Sequence, residues 1–253
     1  PLKLFFNLFL ISITFYCMIF LFISCQNSNS LILIGHRGAR GYVAENTLAS
    51  ISKAIELGVD GVEIDVFLCA SGELIVFHDK TLEKLTNGIG AVESFTLDSL
   101  KTFKVLGEET IPTLNEVMEF IDSEIILNIE LKGSNTAIPT AKLLKHYFSC
   151  SLWSPEKVFI SSFNWEELRI FSKQKTEVDI AILTDKDPLN SISIAKEINA
   201  IAINPDYRSL NSENVLKIQN HGIKIFPWTV NSYEDINKMK LLGVDGIITD
   251  FPD

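Results

Sequence analysis

From residue 31 to the end, the chain alternates between short apolar runs and longer segments that are apolar on one face. Short apolar runs predict buried strands, and the amphipathic segments between them predict helices. Helix caps support this division, because Asn46 or Thr47 can open a helix and Thr113 begins a capping-box sequence, TLNE. The predicted strands are 31–36, 62–67, 74–78, 125–131, 158–162, 179–183, 200–203, 224–229 and 246–249.

One helix-to-strand unit occurs near both ends of this region. Residues 57–65 (LGVDGVEID) and 242–250 (LGVDGIITD) are nearly one motif, and each joins a helix end to a buried strand. Repeated units of this kind predict a parallel sheet, and about eight of them predict a closed (β/α)8 barrel of the TIM type. An open doubly wound sheet is the alternative, but the first strand leads into GHRG and not into G-x-G-x-x-G. We therefore expect one α/β barrel domain over residues 31–253.

One connection is too short for a crossover helix, because only residues 69–73 separate the second and third predicted strands. The sequence ASGE in this gap is typical of a hairpin turn. If Cys69 pairs with Leu74, the register places Asp65 opposite His78. The expected barrel thus has a hairpin-like connection between its second and third strands.

Polar residues collect where the predicted strands end, and in such a barrel that side carries the active site. Glu63 and Asp65 alternate with aliphatic residues and so point to one face, and Glu130 and Lys132 repeat this geometry on another strand. Paired surface acids or a simple ion pair at the barrel mouth are the structural alternatives. Three converging carboxylates predict an oxygen-ligand site for Ca²⁺ or Mg²⁺. The lack of suitably spaced cysteines argues against structural zinc.

Two of the four histidines, His36 and His78, end predicted strands, which is unusual for histidines that serve only the core. Beside a divalent cation, two such histidines can act as a general base and a general acid. Arg37 and Lys132 add fixed positive charge suited to a phosphate. The sequence therefore predicts cleavage of a phosphoester, and no G-x-S-x-G elbow competes with this interpretation.

The ordered set of these and neighbouring motifs strongly resembles the glycerophosphodiester phosphodiesterase family. The resemblance runs from residue 31 to the C terminus, and the order and spacing of the motifs make it specific. One departure is Ala44, where members commonly carry a proline that shapes a loop. The motifs are HRG (36–38), ENT (45–47), EID (63–65), HD (78–79), IPTL (111–114), ELK (130–132), SF (162–163), WTVN (228–231) and the closing segment 243–253.

This resemblance implies the residues that carry the chemistry. It makes Glu63, Asp65 and Glu130 the ligands of one divalent cation, Ca²⁺ or Mg²⁺. It also makes His36 the general base and His78 the acid that protonates the departing alcohol. The implied reaction is hydrolysis of deacylated phospholipids, such as glycerophosphocholine, to glycerol 3-phosphate and an alcohol. In one route the glycerol hydroxyl attacks first and gives a cyclic phosphate that water then opens.

The resemblance also assigns residues to the substrate. Arg37 and Lys132 would contact the phosphate, and Phe163 and Trp228 would wall the glycerol or head-group side. Two other functions stay open. A lysophospholipase D-like enzyme would share much of this set and would stop at the cyclic phosphate. A non-catalytic receptor for glycerol phosphates would bind without turnover.

Residues 1–25 are predicted to lie outside the barrel domain. Residues 4–25 carry no charge and follow Lys3, which is typical of an export signal or a membrane anchor. The sequence FISC, which ends at Cys25, resembles a bacterial lipobox, and the polar residues 26–30 would form a tether. A lipoprotein is favoured over a retained anchor and over simple cleavage. All three place the domain outside the cytoplasm, in the periplasm or at the cell surface.

The amino-acid composition limits the kinds of molecule that this protein can bind. The 253 residues are 47% hydrophobic and include 32 acidic against 22 basic side chains, for a formal net charge of −10. The apolar content is ample for a core, and the acidic balance argues against nucleic acid. We expect a small phosphodiester as the substrate and membrane association only through the N-terminal segment or its lipid.

Overall fold

The apolar runs form strands in the computed structural model, which describes residues 31–253; the predicted export or anchor segment (1–25), the lipobox at Cys25 and the tether (26–30) lie outside them. The strands are β1 (Ile32–His36), β2 (Gly61–Leu68), β3 (Leu74–Val76), β4 (Lys104–Val105), β5 (Glu109–Thr110), β6 (Ile126–Leu131), β7 (Val158–Ser162), β8 (Asp179–Thr184), β9 (Ala202–Pro205), β10 (Lys224–Ile225) and β11 (Gly246–Thr249). The helices are α1 (Leu48–Glu56), α2 (Leu97–Leu100), α3 (Leu114–Ile121), α4 (Ala137–Ser149), α5 (Trp165–Ser172), α6 (Ser191–Ile198), α7 (Ser212–Gln219) and α8 (Tyr233–Leu242). Within the described residues, none of these helices has both the length and the apolar character needed to cross a membrane.

Eight strands pair in parallel around a barrel, in the order β10-β9-β8-β7-β6-β2-β1-β11. The two ends of this order are bridged by backbone hydrogen bonds from Asp245 N to Ile225 O and from Ile248 N to Pro227 O. A helix precedes or follows most of the parallel strands along the chain. The prediction of an α/β barrel of the TIM type is therefore confirmed.

The hairpin after the second strand is present, but its register differs from the prediction by one residue. β3 pairs antiparallel with β2, and Leu74 lies opposite Leu68 instead of Cys69. The reason is the turn itself, in which the Cys69 N–H donates to Glu73 O at 3.0 Å and so already belongs to the loop.

This one-residue shift changes the partner of Asp65. The Phe77 N–H donates to Asp65 O at 3.0 Å, so the prediction that His78 lies opposite Asp65 is wrong. β3 ends at Val76, and His78 follows it in an irregular segment. His78 therefore reaches the barrel mouth from a loop and not from a paired strand position.

The predicted strand 224–229 is also shorter in the structure. β10 ends at Ile225, because Pro227 has no N–H and interrupts the ladder. The chain nevertheless continues beside β9, where Trp228 N donates to Pro205 O at 3.0 Å. This keeps Trp228 at the end of the barrel that carries the polar residues.

Apolar and acidic side chains alternate along β2, so that one face of the strand packs in the hydrophobic core and the other faces the polar site. Val62 and Ile64 are fully buried in the main core between the barrel and its helices. Successive side chains of a strand point to opposite faces, so Glu63 and Asp65 point away from that core and towards the barrel axis. Glu130 does the same on β6.

A smaller apolar cluster fills the barrel interior beneath the site. Because these side chains occupy the space around the axis, the polar residues at the strand ends face an open mouth. The cluster consists of Ile34, Phe159, Ala181, Ala202, Phe226 and Ile248.

Two predicted helix starts are confirmed. Thr47, one of the two candidate caps, accepts a hydrogen bond from Ser50 N at the start of α1. Thr113 and Glu116 form the capping box of α3. The first of these caps matters to the site, because it immediately follows Asn46, a residue that contacts the carboxylates described below.

Candidate active site

Three carboxylates meet where β2 and β6 run side by side. Glu63 and Asp65 lie on β2, and Asp65 is the register partner of Glu130 on β6. One oxygen from each residue lies within 4.8 Å of the other two, and all three side chains are buried. Pairing between two parallel strands, and not a local turn, therefore gathers this carboxylate cluster.

The three carboxylates differ in acidity. Burial, reinforced by the charge of Asp65, raises the pKa of Glu63 well above its usual value. Burial and Asp65 likewise raise the pKa of Glu130 to about 8. Burial also opposes ionisation of Asp65, but Arg37 and Lys132 outweigh it and lower the pKa of Asp65. The cluster therefore holds more carboxylates than its own cations neutralise.

The carboxylate cluster fits a divalent cation. Glu63 Oε1 and Asp65 Oδ1 are buried without a hydrogen-bond partner, which is unfavourable for carboxylate oxygens in the absence of a bound charge. Carboxylate oxygens are the ligands that Ca²⁺ and Mg²⁺ prefer. Within the range 31–253, this is the group of His, Cys, Asp and Glu side chains spaced to hold a metal ion. The residues that could hold it are Glu63, Asp65 and Glu130.

Arg37 and Lys132 each contact the carboxylate cluster. Arg37 N donates to Glu63 Oε2 at 3.0 Å, and Arg37 Nε lies 3.3 Å from Asp65 Oδ2. The backbone φ of Arg37 is 53°, a left-handed value that non-glycine residues adopt rarely and that forms the tight turn after β1. Lys132 Nζ donates to Glu130 Oε1 at 2.9 Å and lies 3.5 Å from Asp65 Oδ1. Both cations are thus fixed beside the place where an anion would bind.

His36 is held by a carboxylate from the other end of the chain. Its Nδ1 lies 2.6 Å from Asp250 Oδ1, and Asn231 Nδ2 donates to the other Asp250 oxygen at 2.8 Å. Because the carboxylate accepts, we assign the proton of the neutral ring to Nδ1; Nε2, 4.0 Å from Glu63 Oε2, keeps its lone pair. Burial lowers the pKa of His36, although Asp250 acts in the opposite direction. Burial therefore favours the neutral form of His36, in which the Nε2 lone pair is available to a ligand.

His78 repeats this arrangement with its neighbour in sequence. Its Nδ1 lies 2.6 Å from Asp79 Oδ1, and Lys84 Nζ lies 3.4 Å from the other Asp79 oxygen. Burial lowers the pKa of His78, while the charge of Asp65 acts in the opposite direction. In both histidines the Nδ1 side is engaged by a carboxylate, and the Nε2 side remains for a ligand.

The predicted site residues surround one cavity of about 350 Å³, which we call the reaction cavity. Phe163 and Trp228 stand edge to face beside it, with their ring centroids 5.4 Å apart. Asp65 belongs to the carboxylate cluster at its edge. The other eight predicted residues line the reaction cavity directly: His36, Arg37, Glu63, His78, Glu130, Lys132, Phe163 and Trp228.

Comparison with known proteins gives the family. The model of the glycerophosphoryl diester phosphodiesterase family matches residues 36–253. The chain belongs to this family. A glycerophosphodiester phosphodiesterase of Caldanaerobacter subterraneus subsp. tengcongensis is 39% identical over 232 residues, which span 88% of this chain and 95% of that protein. The family enzyme of Bacillus altitudinis is 34% identical, over 87% of this chain and 95% of its own length.

Solved structures of the family have the same fold. A phosphodiesterase of Oleispira antarctica, solved in complex with the product sn-glycerol-3-phosphate, superposes with a TM-score of 0.81 at 29% identity. That match covers 87% of this chain and 93% of the other. The predicted family and enzyme class are therefore confirmed.

Sequence analysis did not identify Asp250 as part of the site, although a signal for it was present. The related segments 57–65 and 242–250 end in Asp65 and Asp250, so the repeat marks both positions. Asn46 is a second such residue, since its Nδ2 donates to Asp65 Oδ2 at 2.9 Å. Sequence analysis marked Asn46 as a helix start and as part of the ENT motif, but it assigned Asn46 no contact with the carboxylates.

Metal binding by this protein should release protons at mildly acidic pH. A cation must displace the proton that Glu130, with its pKa of about 8, holds below that pH. The apparent affinity of the protein for the cation should therefore rise between about pH 6 and about pH 8. Isothermal titration with Mg²⁺ or Ca²⁺ in two buffers of different ionisation enthalpy measures the number of protons released.

Two variants, one test and one control, show whether the released protons come from Glu130. Glu130→Gln should bind the cation more weakly and release fewer protons, because it removes both a ligand and the titrating group. Glu124→Gln, which changes an exposed carboxylate just before β6 begins and so at the opposite end of this strand from Glu130, should match the wild type. Binding without proton release near pH 6 would contradict this account of Glu130.

Proposed function

We propose that this protein hydrolyses glycerophosphodiesters to glycerol 3-phosphate and an alcohol, with Ca²⁺ or Mg²⁺ as its cofactor. One observation carries the proposal: two histidines with unengaged Nε2 atoms line the same cavity as the carboxylate cluster and two fixed cations. Each of these parts suits a phosphodiester, and their arrangement in a member of this family supports the reaction that its relatives are named for.

Three carboxylates would hold the cation. When bound to Glu63, Asp65 and Glu130, it would supply positive charge that stabilises an anionic phosphate as negative charge develops. Arg37 and Lys132 would contact the same phosphate, and both are already oriented by ion pairs with the carboxylate cluster. Because these side chains are fixed before the substrate arrives, little reorganisation is needed on binding.

The two histidines would move the protons. His36 Nε2 would take the proton of the attacking hydroxyl, either from water or from the glycerol hydroxyl. His78 in its protonated form would donate from Nε2 to the oxygen of the departing alcohol as the P–O bond breaks. His78 suits the acid role because it lies on a loop at the mouth, where the alcohol would leave, and its Nε2 faces the reaction cavity while Asp79 holds its Nδ1. One proton enters the enzyme and one leaves it in each cycle.

The wall of the reaction cavity suits a small polyol. Phe163 and Trp228 present ring edges and faces to its open side, and Lys132 Nζ lies 5.7 Å from the Phe163 ring centroid. Polar donors at one wall and aromatic carbon at the other match the hydroxyl and methylene groups of glycerol. We assign the glycerol phosphate half of the substrate to this cavity.

We also propose that the protein acts outside the cytoplasm, attached to a membrane by lipid on Cys25. This proposal depends only on the uncharged residues 4–25 and the FISC sequence that ends them. A lipid anchor would keep the barrel close to the membrane phospholipids from which glycerophosphodiesters derive.

The proposed reaction should require both histidines. With Ca²⁺ or Mg²⁺ present, ³¹P NMR should show glycerophosphocholine converted to glycerol 3-phosphate. His36→Ala and His78→Ala should each lower kcat by about 10²- to 10⁴-fold, the usual contribution of a general acid or base. His221→Ala, which changes an exposed histidine elsewhere on the barrel, serves as the control.

Other outcomes of the same assay would reject this function. Turnover of lysophosphatidylcholine alone, ending at a cyclic phosphate, would identify a lysophospholipase D-like enzyme. Binding of glycerol 3-phosphate with no turnover in Ca²⁺, Mg²⁺ or Mn²⁺ would identify a receptor.

Asp250 should act through His36. Asp250→Asn can occupy the same space, but it cannot stabilise a protonated imidazole, so kcat should fall by about tenfold or more while KM stays within about threefold. Because Asp250 acts to raise the pKa of His36, its loss should also move the acidic limb of the kcat/KM profile to lower pH. Asp253→Asn, at an exposed position nearby in sequence, is the matched control. An unchanged pH profile in an equally stable Asp250→Asn protein would contradict the role.

The N-terminal proposal has a direct test. Mass spectrometry of the protein from a bacterial membrane fraction should find a mature chain that starts at a lipid-modified Cys25, and Cys25→Ala should abolish the modification. Recovery of an unmodified chain that keeps residues 4–25 would support a retained anchor instead.

A further inference from the structure

A second cavity of about 450 Å³ lies next to the reaction cavity, and we call it the outer cavity. The two cavities share Glu130, Lys132 and Phe163, so a ligand could pass from one to the other along these three side chains. A phosphodiester has two alcohol arms on one phosphorus. With the glycerol arm in the reaction cavity, the outer cavity is placed to receive the other arm.

Loop residues and the ends of three barrel strands together form the outer cavity. Lys80 lines it and stands two residues after His78, the proposed donor to the departing alcohol. Glu93 also lines it, in the 3-10 turn Val92–Ser94, whose Val92 N–H donates to Lys80 O at 3.0 Å. A Cβ added at Gly133 would come within 3.0 Å of Glu93 Oε1, so this carboxylate lies directly against the chain that follows Glu130 and Lys132.

Two exposed charged side chains of the outer cavity, Lys80 and Glu93, have no partner in the described part of the chain. Around the reaction cavity, Arg37, Lys132 and both histidines are paired with carboxylates. Lys80 and Glu93, in contrast, form no salt bridge or side-chain hydrogen bond with any residue of the described part of the chain, nor with each other. An unpaired cation and an unpaired anion that face one cavity are complementary to a ligand that carries both charges.

We propose that the outer cavity binds the departing alcohol and selects one that is zwitterionic, with an ammonium group beside a carboxylate, as in the serine head of glycerophosphoserine. The ammonium would pair with Glu93 and the carboxylate with Lys80. The P–O bond to this alcohol breaks, and its oxygen takes the proton from His78, whose loop also carries Lys80. This inference rests on the proposed function, because it names the head group of that reaction.

The shape of the cavity agrees with such an occupant. Its remaining wall combines Phe67, Leu131 and Phe163 with the small residues Gly133 and Ser134. Gly133 leaves no room for a side chain there, because an added Cβ would also lie 2.8 Å from Phe67 Cδ1. A short head with two charged groups can therefore approach the backbone at Gly133 while its charges reach Lys80 and Glu93.

The test compares kcat/KM on substrates that differ only in the head: glycerophosphoserine, glycerophosphoethanolamine and the uncharged-head glycerophosphoglycerol. Wild type should prefer the serine head. Lys80→Met should lower kcat/KM for the serine head by up to about fivefold and leave the ethanolamine head unchanged, since exposed ion pairs contribute at most about that much. Glu93→Gln should lower kcat/KM for both amino heads and leave the glycerol head unchanged. Lys145→Met and Glu108→Gln, at exposed positions outside both cavities, are the controls.

Turnover of glycerophosphoglycerol, whose head is uncharged, distinguishes failure of this inference from failure of the proposed function. Turnover of glycerophosphoglycerol without the head-specific effects would overturn the inference and leave the function standing. Absence of turnover on every substrate would overturn the function; calorimetric titration of glycerophosphoserine into wild type and Lys80→Met would then still decide the inference. Equal affinity in the two proteins, or a wild-type affinity no higher than that for glycerophosphoglycerol, would overturn it.

Discussion

The site depends on the close approach of three buried carboxylates on two adjacent strands. Glu63, Asp65 and Glu130 cannot all be ionised at this spacing on their own, and the raised pKa values of the two glutamates reflect that conflict. The protein relieves it only in part, since Arg37 and Lys132 both contact Asp65 and Lys132 also donates to Glu130. A divalent cation would supply the positive charge that is still missing, and it would also attract an anionic ligand.

Barrel topology makes this concentration of charge tolerable. The outward faces of β2 and β6 are buried in the main core, which fixes the strands and leaves their inward polar residues no alternative orientation. The small apolar cluster beneath them closes the interior, so the cost of burying charge is confined to one end. The same core that stabilises the fold therefore presets the positions of the carboxylate oxygens, and an irregular segment after β3 supplies His78.

The features that depend on hydrophobic periodicity and on the order of the repeated units were predicted correctly from the sequence. The hairpin register was not, because it depends on the geometry of a single turn. Alternation along β2 was enough to put Glu63 and Asp65 on one face, and repeated units were enough for the barrel. The pairing of Asp65 with His78 failed, because the register depends on whether Cys69 belongs to the strand or to the turn, and either choice fits the apolar pattern. The short strands β4 and β5 carried no periodic signal at all, since each has only two residues.

The two histidines differ in what keeps them in place, and this difference matters for their proposed roles. Asp250 follows β11, and β11 pairs with β1, which ends at His36, so the contact that orients His36 forms only when the last strand closes against the first. The proposed base is thus assembled only in the completed barrel. His78 is oriented by the adjacent Asp79 and lies on a loop that also carries Lys80. The two proposed proton transfers therefore depend on different elements, since attack depends on the closed barrel and departure of the alcohol depends on the loop that carries Lys80.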